Sequence, residues 1–175
     1  MLKSSARFFL PIASVVASIM ACATAAGAQA GEPVAVQANR SPLLGAWELD
    51  LSRMPETYGT PPKRVTYLFE DIGSGKWRTT IDITAPDDSV RHTSVTYMPD
   101  GKVVRGEGDT GEADSAAVVA PAPNVLVMNL AKDKTRGSVR VYTVSYDGKE
   151  LIESAANVDD DGNPYVRRFY FKRLR

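Results

Sequence analysis

Ser138-Val139-Arg140-Val141-Tyr142-Thr143-Val144-Ser145, followed by Tyr146-Asp147-Gly148-Lys149, reads as a β-strand running into a tight turn. Val139, Val141 and Thr143 alternate with Arg140, Tyr142 and Val144. That period of two places successive side chains on opposite faces of a sheet. Asp-Gly suits a hairpin because both residues tolerate the positive φ of a type I′ turn. The rhythm returns at Pro99-Asp100-Gly101-Lys102 and Asp160-Asp161-Gly162-Asn163, with further breaks at Gly73-Ser74-Gly75 and Pro86-Asp87-Asp88. From about residue 42 onward the chain reads as an antiparallel meander.

Strands are expected at residues 43–51, 64–70, 76–84, 89–98, 102–105, 115–120, 125–131, 138–145, 150–158 and 165–174. Residues 54–62, with Pro55, Gly59, Pro61 and Pro62, predict a loop crossing one end of the fold. Residues 106–114 are Gly-rich and acidic and predict a loop or a weak edge. No stretch combines a 3.6-residue apolar period with caps, so little helix is expected. About ten short strands with no helices to cover them must close on themselves. Closure removes the unpaired edges, so the predicted fold is all-β: a closed or nearly closed antiparallel barrel of 8–10 strands.

Residues 1–30 have the pattern of a signal peptide. Lys3 and Arg7 precede an apolar stretch over residues 8–20, too short to span a bilayer comfortably, and Ala28-Gln29-Ala30 offers a cleavage site. The expected mature chain begins at Gly31 in the periplasm or outside the cell, with no stable membrane insertion. A flexible lead-in over 31–42 then precedes the barrel domain over 43–175. Cys22, the only cysteine, lies in the signal region; anchoring as a lipoprotein through it is the alternative. The mature domain therefore has no disulfide, cysteine nucleophile or cysteine metal site.

The 21 Lys and Arg balance the 21 Asp and Glu, and cleavage removes two cations. No global field favours nucleic acid. The basic end, Arg167, Arg168, Lys172, Arg173 and Arg175, interleaves with Phe169, Tyr170 and Phe171 as a strand with charges facing water would. His92 is the only histidine and shares its strand face with Val90, Ser94, Thr96 and Met98, which makes it a candidate polar anchor inside the barrel. Neither a metal nor a cofactor is called for. Asn157, Asp159, Asp161 and Gly162 copy the start of a calcium loop, but Arg168 stands where that loop needs a bidentate Glu. Glu107, Asp109, Glu112 and Asp114 lie on a loop with nothing to fix their separation, and no Gly-x-Ser-x-Gly elbow occurs. A noncatalytic protein is expected.

Gly45-Ala46-Trp47 in the first strand, the Pro-rich loop after it, Ser145-Tyr146-Asp147-Gly148-Lys149 and the last strand with Tyr170 and Lys172 resemble lipocalin-like barrels of the calycin type. Small exported bacterial domains of that class, without an assigned function, share this order. The resemblance implies that Trp47 seals the closed barrel end under Arg173 or Arg175. The strand count is also similar to that of fatty-acid-binding barrels, which hold a carboxylate with an Arg-x-Tyr pair; Arg168 and Tyr170 match that pair. The alternate face, Tyr165, Arg167, Phe169 and Phe171, is more apolar and is expected to face inward.

A barrel of this size has room for side chains or for one small ligand. The expected function is binding of a small apolar or amphipathic molecule, with Tyr67, Phe69, Trp77, His92, Val141, Arg167 and Phe169 as its lining. With so few charges named, binding should depend little on salt. The alternative is a protein-interaction or envelope-assembly module with a filled core.

Overall fold

Val65, Tyr67 and Phe69 are buried while Arg64 and Glu70, flanking them, are exposed, so the period of two is realised as an inner and an outer face. The computed structural model describes residues 40–174. The signal segment, Cys22 and the lead-in up to residue 39 lie outside the described residues. Ser41 and Pro42 are tied down: the Ser41 hydroxyl donates to the Pro123 carbonyl at 2.6 Å, and Arg173 donates to the Pro42 carbonyl.

Ten strands form the barrel: β1 (Gly45–Leu49), β2 (Arg64–Gly73), β3 (Lys76–Thr84), β4 (Val90–Tyr97), β5 (Asp100–Gly108), β6 (Ser115–Ala122), β7 (Val125–Lys132), β8 (Thr135–Val144), β9 (Glu150–Val158) and β10 (Pro164–Arg173). Each pairs antiparallel with its sequence neighbour, and β1 closes the ring against β10. Two short 3₁₀ turns, Leu51–Arg53 and Glu56–Tyr58, are the only helical residues described. The barrel expected from alternation is present, with no free edge.

Three local expectations are corrected. First, residues 106–108 continue β5 instead of opening a loop, and pair with β4 at Thr93↔Gly108, Ser94↔Glu107 and Val95↔Gly106. Gly108 permits this approach: its φ is +83°, and a Cβ there would collide with the His92 carbonyl oxygen. Second, Asp147-Gly148 and Asp161-Gly162 are not type I′ turns. Only the glycines take positive φ, and Gly148 and Gly162 donate back to the carbonyls of Ser145 and Asp159 at 2.9 and 3.0 Å. This is a type I turn closed by a left-handed glycine. Type I′ geometry occurs instead at Asp133 and Lys134, φ +51° and +66°, between β7 and β8.

Third, two strands present the face opposite to the one expected. In β4 the inner set contains Val95 and Tyr97, leaving His92, Val90 and Met98 exposed. In β8 the inner set is Ser138, Arg140, Tyr142 and Val144, while Val139 is exposed and Val141 half-buried on the outer face.

Antiparallel order gives the barrel two different ends. One end gathers the start of β1, the β2–β3, β4–β5, β6–β7 and β8–β9 turns, and the end of β10. Its interior is solid, with Leu43, Trp47, Phe69, Tyr97, Val118, Leu126, Val144 and Leu151 all at most 2% exposed. The other end, under the β1–β2 loop, is open.

Candidate functional site

The closed end is latched from outside. Arg173 lies over the Trp47 ring with its guanidinium carbon 4.0 Å from the centroid. It also donates to the carbonyls of Leu44 at 2.9 Å and Gly148 at 2.7 Å. The Trp47 indole donates to the Leu43 carbonyl at 2.9 Å, so its one polar atom is satisfied in a fully buried site. Gly45 explains the Gly-x-Trp spacing: its φ is +122°, and an added Cβ would stand 2.8 Å from an Arg173 nitrogen. A side chain at residue 45 would displace the arginine from the tryptophan.

Above this floor the barrel encloses a cavity of about 420 Å³, open at the β1–β2 loop. Met54, Thr60 and Pro62 of that loop form part of its wall, which confirms the loop as the element crossing one end. A branch of about 90 Å³ extends between Ile81, Val95, Met128, Leu130 and Tyr142.

The residues expected to line the site separate by position. Tyr67, Arg167 and Phe169 do line the cavity, with Tyr165 and Phe171 of the same β10 face. Phe69 belongs to the packed floor, and Trp77, half-buried at the start of β3, packs on that floor instead of lining the cavity. Val141 points away from the cavity because its neighbours Arg140 and Tyr142 occupy the interior. His92 is outside as well: its ring Nδ1 lies 2.6 Å from Asp82, on a side chain 59% exposed. Arg168 and Tyr170 face away too, and Arg53 stacks on the Tyr170 ring at 3.5 Å. The Arg-x-Tyr pair therefore does not reach the cavity.

The polar centre of the cavity is a group that alternation did not single out. Glu153 of β9 is 1% exposed. One of its oxygens accepts from the Arg140 Nη1 at 3.0 Å, and the other from the Tyr67 hydroxyl at 2.7 Å, which reaches across from β2. Arg140 also pairs with Glu112, from the acidic loop after β5. That carboxylate is thus fixed, contrary to the expectation of a loop with nothing to hold it. Burial raises the pKa of Glu153 above the ordinary carboxylate value, opposed by Arg140 and by the Tyr67 hydrogen bond. Burial, reinforced by the Glu153 charge, raises the Tyr67 phenol well above its usual value. The Tyr142 hydroxyl, on the wall of the branch, is a buried side-chain polar atom without a hydrogen-bond partner.

A signal for this cluster does exist in the sequence. Leu151, Glu153 and Ala155 alternate as one inward set, and Arg140, Tyr142 and Val144 as another, each apolar except for one charge. Opposite charges on a diagonal of adjacent strands, here Arg140 opposite Ala155 and Glu153 opposite Tyr142, mark a pair that can be buried together. The cavity is accordingly more charged than expected, with Arg91, Glu112, Arg140, Glu153 and Arg167 all on its surface. Weak salt dependence no longer follows.

No protein-family model matches this chain, and no curated protein matches it in sequence. Solved structures match it in shape. The fluorescent protein UnaG, wild type, superimposes with a TM-score of 0.53 at 14% identity over 75% of this chain and 97% of its own. A Schistosoma mansoni fatty acid binding protein in complex with arachidonic acid gives 0.54 at 18% identity, covering 78% and 99%. The likeness establishes the fold. This chain shares their closed ten-stranded antiparallel β-barrel, and at such identity the likeness extends no further.

Proposed function

We propose that the protein binds one small apolar or amphipathic molecule inside its barrel, as a carrier or sensor and not as an enzyme. The observation behind this reading is the cavity of about 420 Å³ open at one end, walled by apolar residues such as Leu49, Val65, Ile83, Phe169 and Phe171 together with a set of charged ones. That volume falls in the ordinary range for small-molecule sites, about 300–1,000 Å³. A barrel of the same fold described in complex with arachidonic acid supports it. The noncatalytic reading rests on the polar centre, where Glu153 is already held by two donors and Arg140 by two carboxylates. A packed floor confined to one end leaves the filled-core alternative without its main premise.

Titration with the neutral probe N-phenyl-1-naphthylamine tests the reading. Saturable enhancement of its emission is expected, and Ala155→Phe, which projects a ring into the cavity, should abolish it while the far-ultraviolet spectrum stays unchanged. A folded wild-type protein with no saturable uptake would refute the reading.

We further propose export to the periplasm or beyond, on the order of Lys3, Arg7, the apolar stretch and Ala28-Gln29-Ala30. The intact mass of protein recovered outside the cytoplasm should correspond to a chain beginning at Gly31. A lipid-modified product beginning at Cys22 would replace free release by membrane anchoring.

A further inference from the structure

The outer surface of the barrel is charged unevenly. On β2 and β3 the outward positions include Arg64, Glu70, Arg78 and Asp82, with Arg64 paired to Glu48 of β1 and Asp82 in contact with His92 of β4. The wall from β6 to β9 differs. Ser115 to Ala131, which supplies β6, the turn after it and nearly all of β7, contains no Asp, Glu, Lys or Arg. Register carries that neutrality onto β8 and β9. Ala117, Asn129, Val139 and Ala156 form one outward row across the four strands, and Val119, Val127, Val141 and Ser154 form the next. Val119 and Val139 are each 39% exposed, and Asn129 and Ala156 are exposed as well. A contiguous uncharged, valine-rich face is the kind of surface that marks a docking site.

Closure, charge and area together say what fits this face. The barrel is closed, which leaves its walls and not a strand edge for association. A bilayer-spanning barrel carries an apolar band all round, and the outward charges of β2 and β3 break such a band. A charged partner would give up hydration against β6–β9 and find no counter-charge there. A second copy of the chain brings the same neutral surface and meets no like charge. Asn129, the one amide in the two rows, carries both a donor and an acceptor and so is complementary to its own copy. Short valines and alanines also suit sheet-on-sheet packing, in which two faces approach to about 10 Å.

We infer that the outer face of β6–β9 is a self-association surface, on which two copies of the chain meet about a two-fold axis to form a weak, reversible dimer. Area sets the strength. Four strands about 4.8 Å apart and about six residues long present about 400 Å² on each copy, so two copies bury about 800 Å². A stable interface of ordinary size buries about 1,200–2,000 Å², which puts this one among the transient class. The face lies on the outside of the wall while the cavity opens at the β1–β2 loop, so the inference stands apart from the cavity reading.

Sedimentation velocity over a concentration series tests it. The average mass of the purified protein should rise from one chain towards two and no further, with a midpoint on the order of 100 µM. Val119→Lys/Val139→Lys, at two outward positions, sets like charges against each other and should raise that midpoint by about tenfold or more with the far-ultraviolet spectrum unchanged. Val119→Glu/Val139→Glu should do the same alone, yet an equal mixture of the Lys and Glu proteins should associate again, which only a face meeting its own copy explains. Val90→Lys, at an exposed valine of β4 outside the face, should leave the wild-type curve in place. A wild-type mass of one chain at every concentration overturns the inference. So does a mass that climbs past two chains, a dimer that survives the Lys substitutions, or one that Val90→Lys also abolishes. A monomer that instead co-sediments with phosphatidylcholine vesicles, and stops doing so in the Lys protein, would give the face to lipid and overturn it too.

Discussion

The two ends of this barrel are built from the same strands and solve opposite problems. At the closed end, Trp47, Phe69, Leu126, Val144 and Leu151 fill the interior, and the polar groups among and beside them are matched: the Trp47 indole donates to the Leu43 carbonyl at 2.9 Å, and the Thr79 and Tyr97 hydroxyls bond each other at 2.7 Å. At the open end the inward positions carry Arg140, Glu153, Arg167 and small residues such as Ser138 and Ala155, and about 420 Å³ is left unfilled. Aromatic residues alone do not distinguish the halves, since Phe69 packs the floor and Phe169 walls the cavity. The difference is whether the inward set of each strand is apolar and large or polar and small. Packing at one end supplies the stability that lets the other stay hollow.

The sharpest way to break this contrast is Trp47→Ala. Removing a fully buried aromatic should cost about 3–5 kcal/mol, read as a lower urea midpoint with little change in slope. A loss under about 1 kcal/mol would mean the floor is not where the stability resides. Next comes the cavity's own polar centre. Glu153→Ala leaves the Tyr67 hydroxyl without its partner and Arg140 with Glu112 alone, and should cost about 1–3 kcal/mol. The double change Arg140→Met/Glu153→Leu should recover most of it, because an apolar pair of similar size needs no desolvation of charge.

The same residue makes a prediction about pH. Burial raises the Glu153 pKa in the folded protein above its unfolded value. The folded state therefore keeps this proton longer as pH rises. Its contribution to stability is fully present below the ordinary carboxylate range and declines as pH climbs through the raised value. Thermal midpoints of Glu153→Gln should lack that decline, so the wild-type curve should fall relative to the variant's across this window. Parallel curves would mean that Glu153 titrates no differently in the two states.

Smaller effects sharpen the comparison. The Tyr142 hydroxyl is buried without a partner, so Tyr142→Phe should be neutral or stabilising by up to about 1 kcal/mol. A clear loss of stability would show that a water or ligand satisfies it in solution. Smallest of all, His92→Gln should change stability by under about 0.5 kcal/mol, since its contact with Asp82 lies on the exposed outer surface. A larger loss would place His92 in a structural role that its exposure does not suggest.

Much of this molecule is legible without coordinates. Alternation in β2, β3 and β10 correctly separates Tyr67, Ile83, Arg167 and Phe169 from their outward neighbours, and the spacing of breaks yields ten strands and closure. Gly45-Ala46-Trp47 and Arg173 meet as their resemblance implies, because a positive-φ glycine is needed where the arginine crosses the strand. In β4 and β8 the alternation is equally clear but the choice of face is not. Val90 and Met98 rival Val95 and Tyr97 in apolar character, and Val139 and Val141 rival Tyr142 and Val144. A period of two states only that the faces differ. Which one turns inward follows from register with the neighbouring strands, because a shift of one residue inverts every side chain. The sequence by itself thus determined the strands and the closure, while the resemblance pointed to a latch on Trp47 and the structure supplies it from Arg173. Only the tertiary structure decided that Arg140 and Glu153 lie inside, because a buried charge is tolerable only beside its partner, and it is closure of the barrel that brings Arg140, Glu153 and the Tyr67 hydroxyl from β2 to one point.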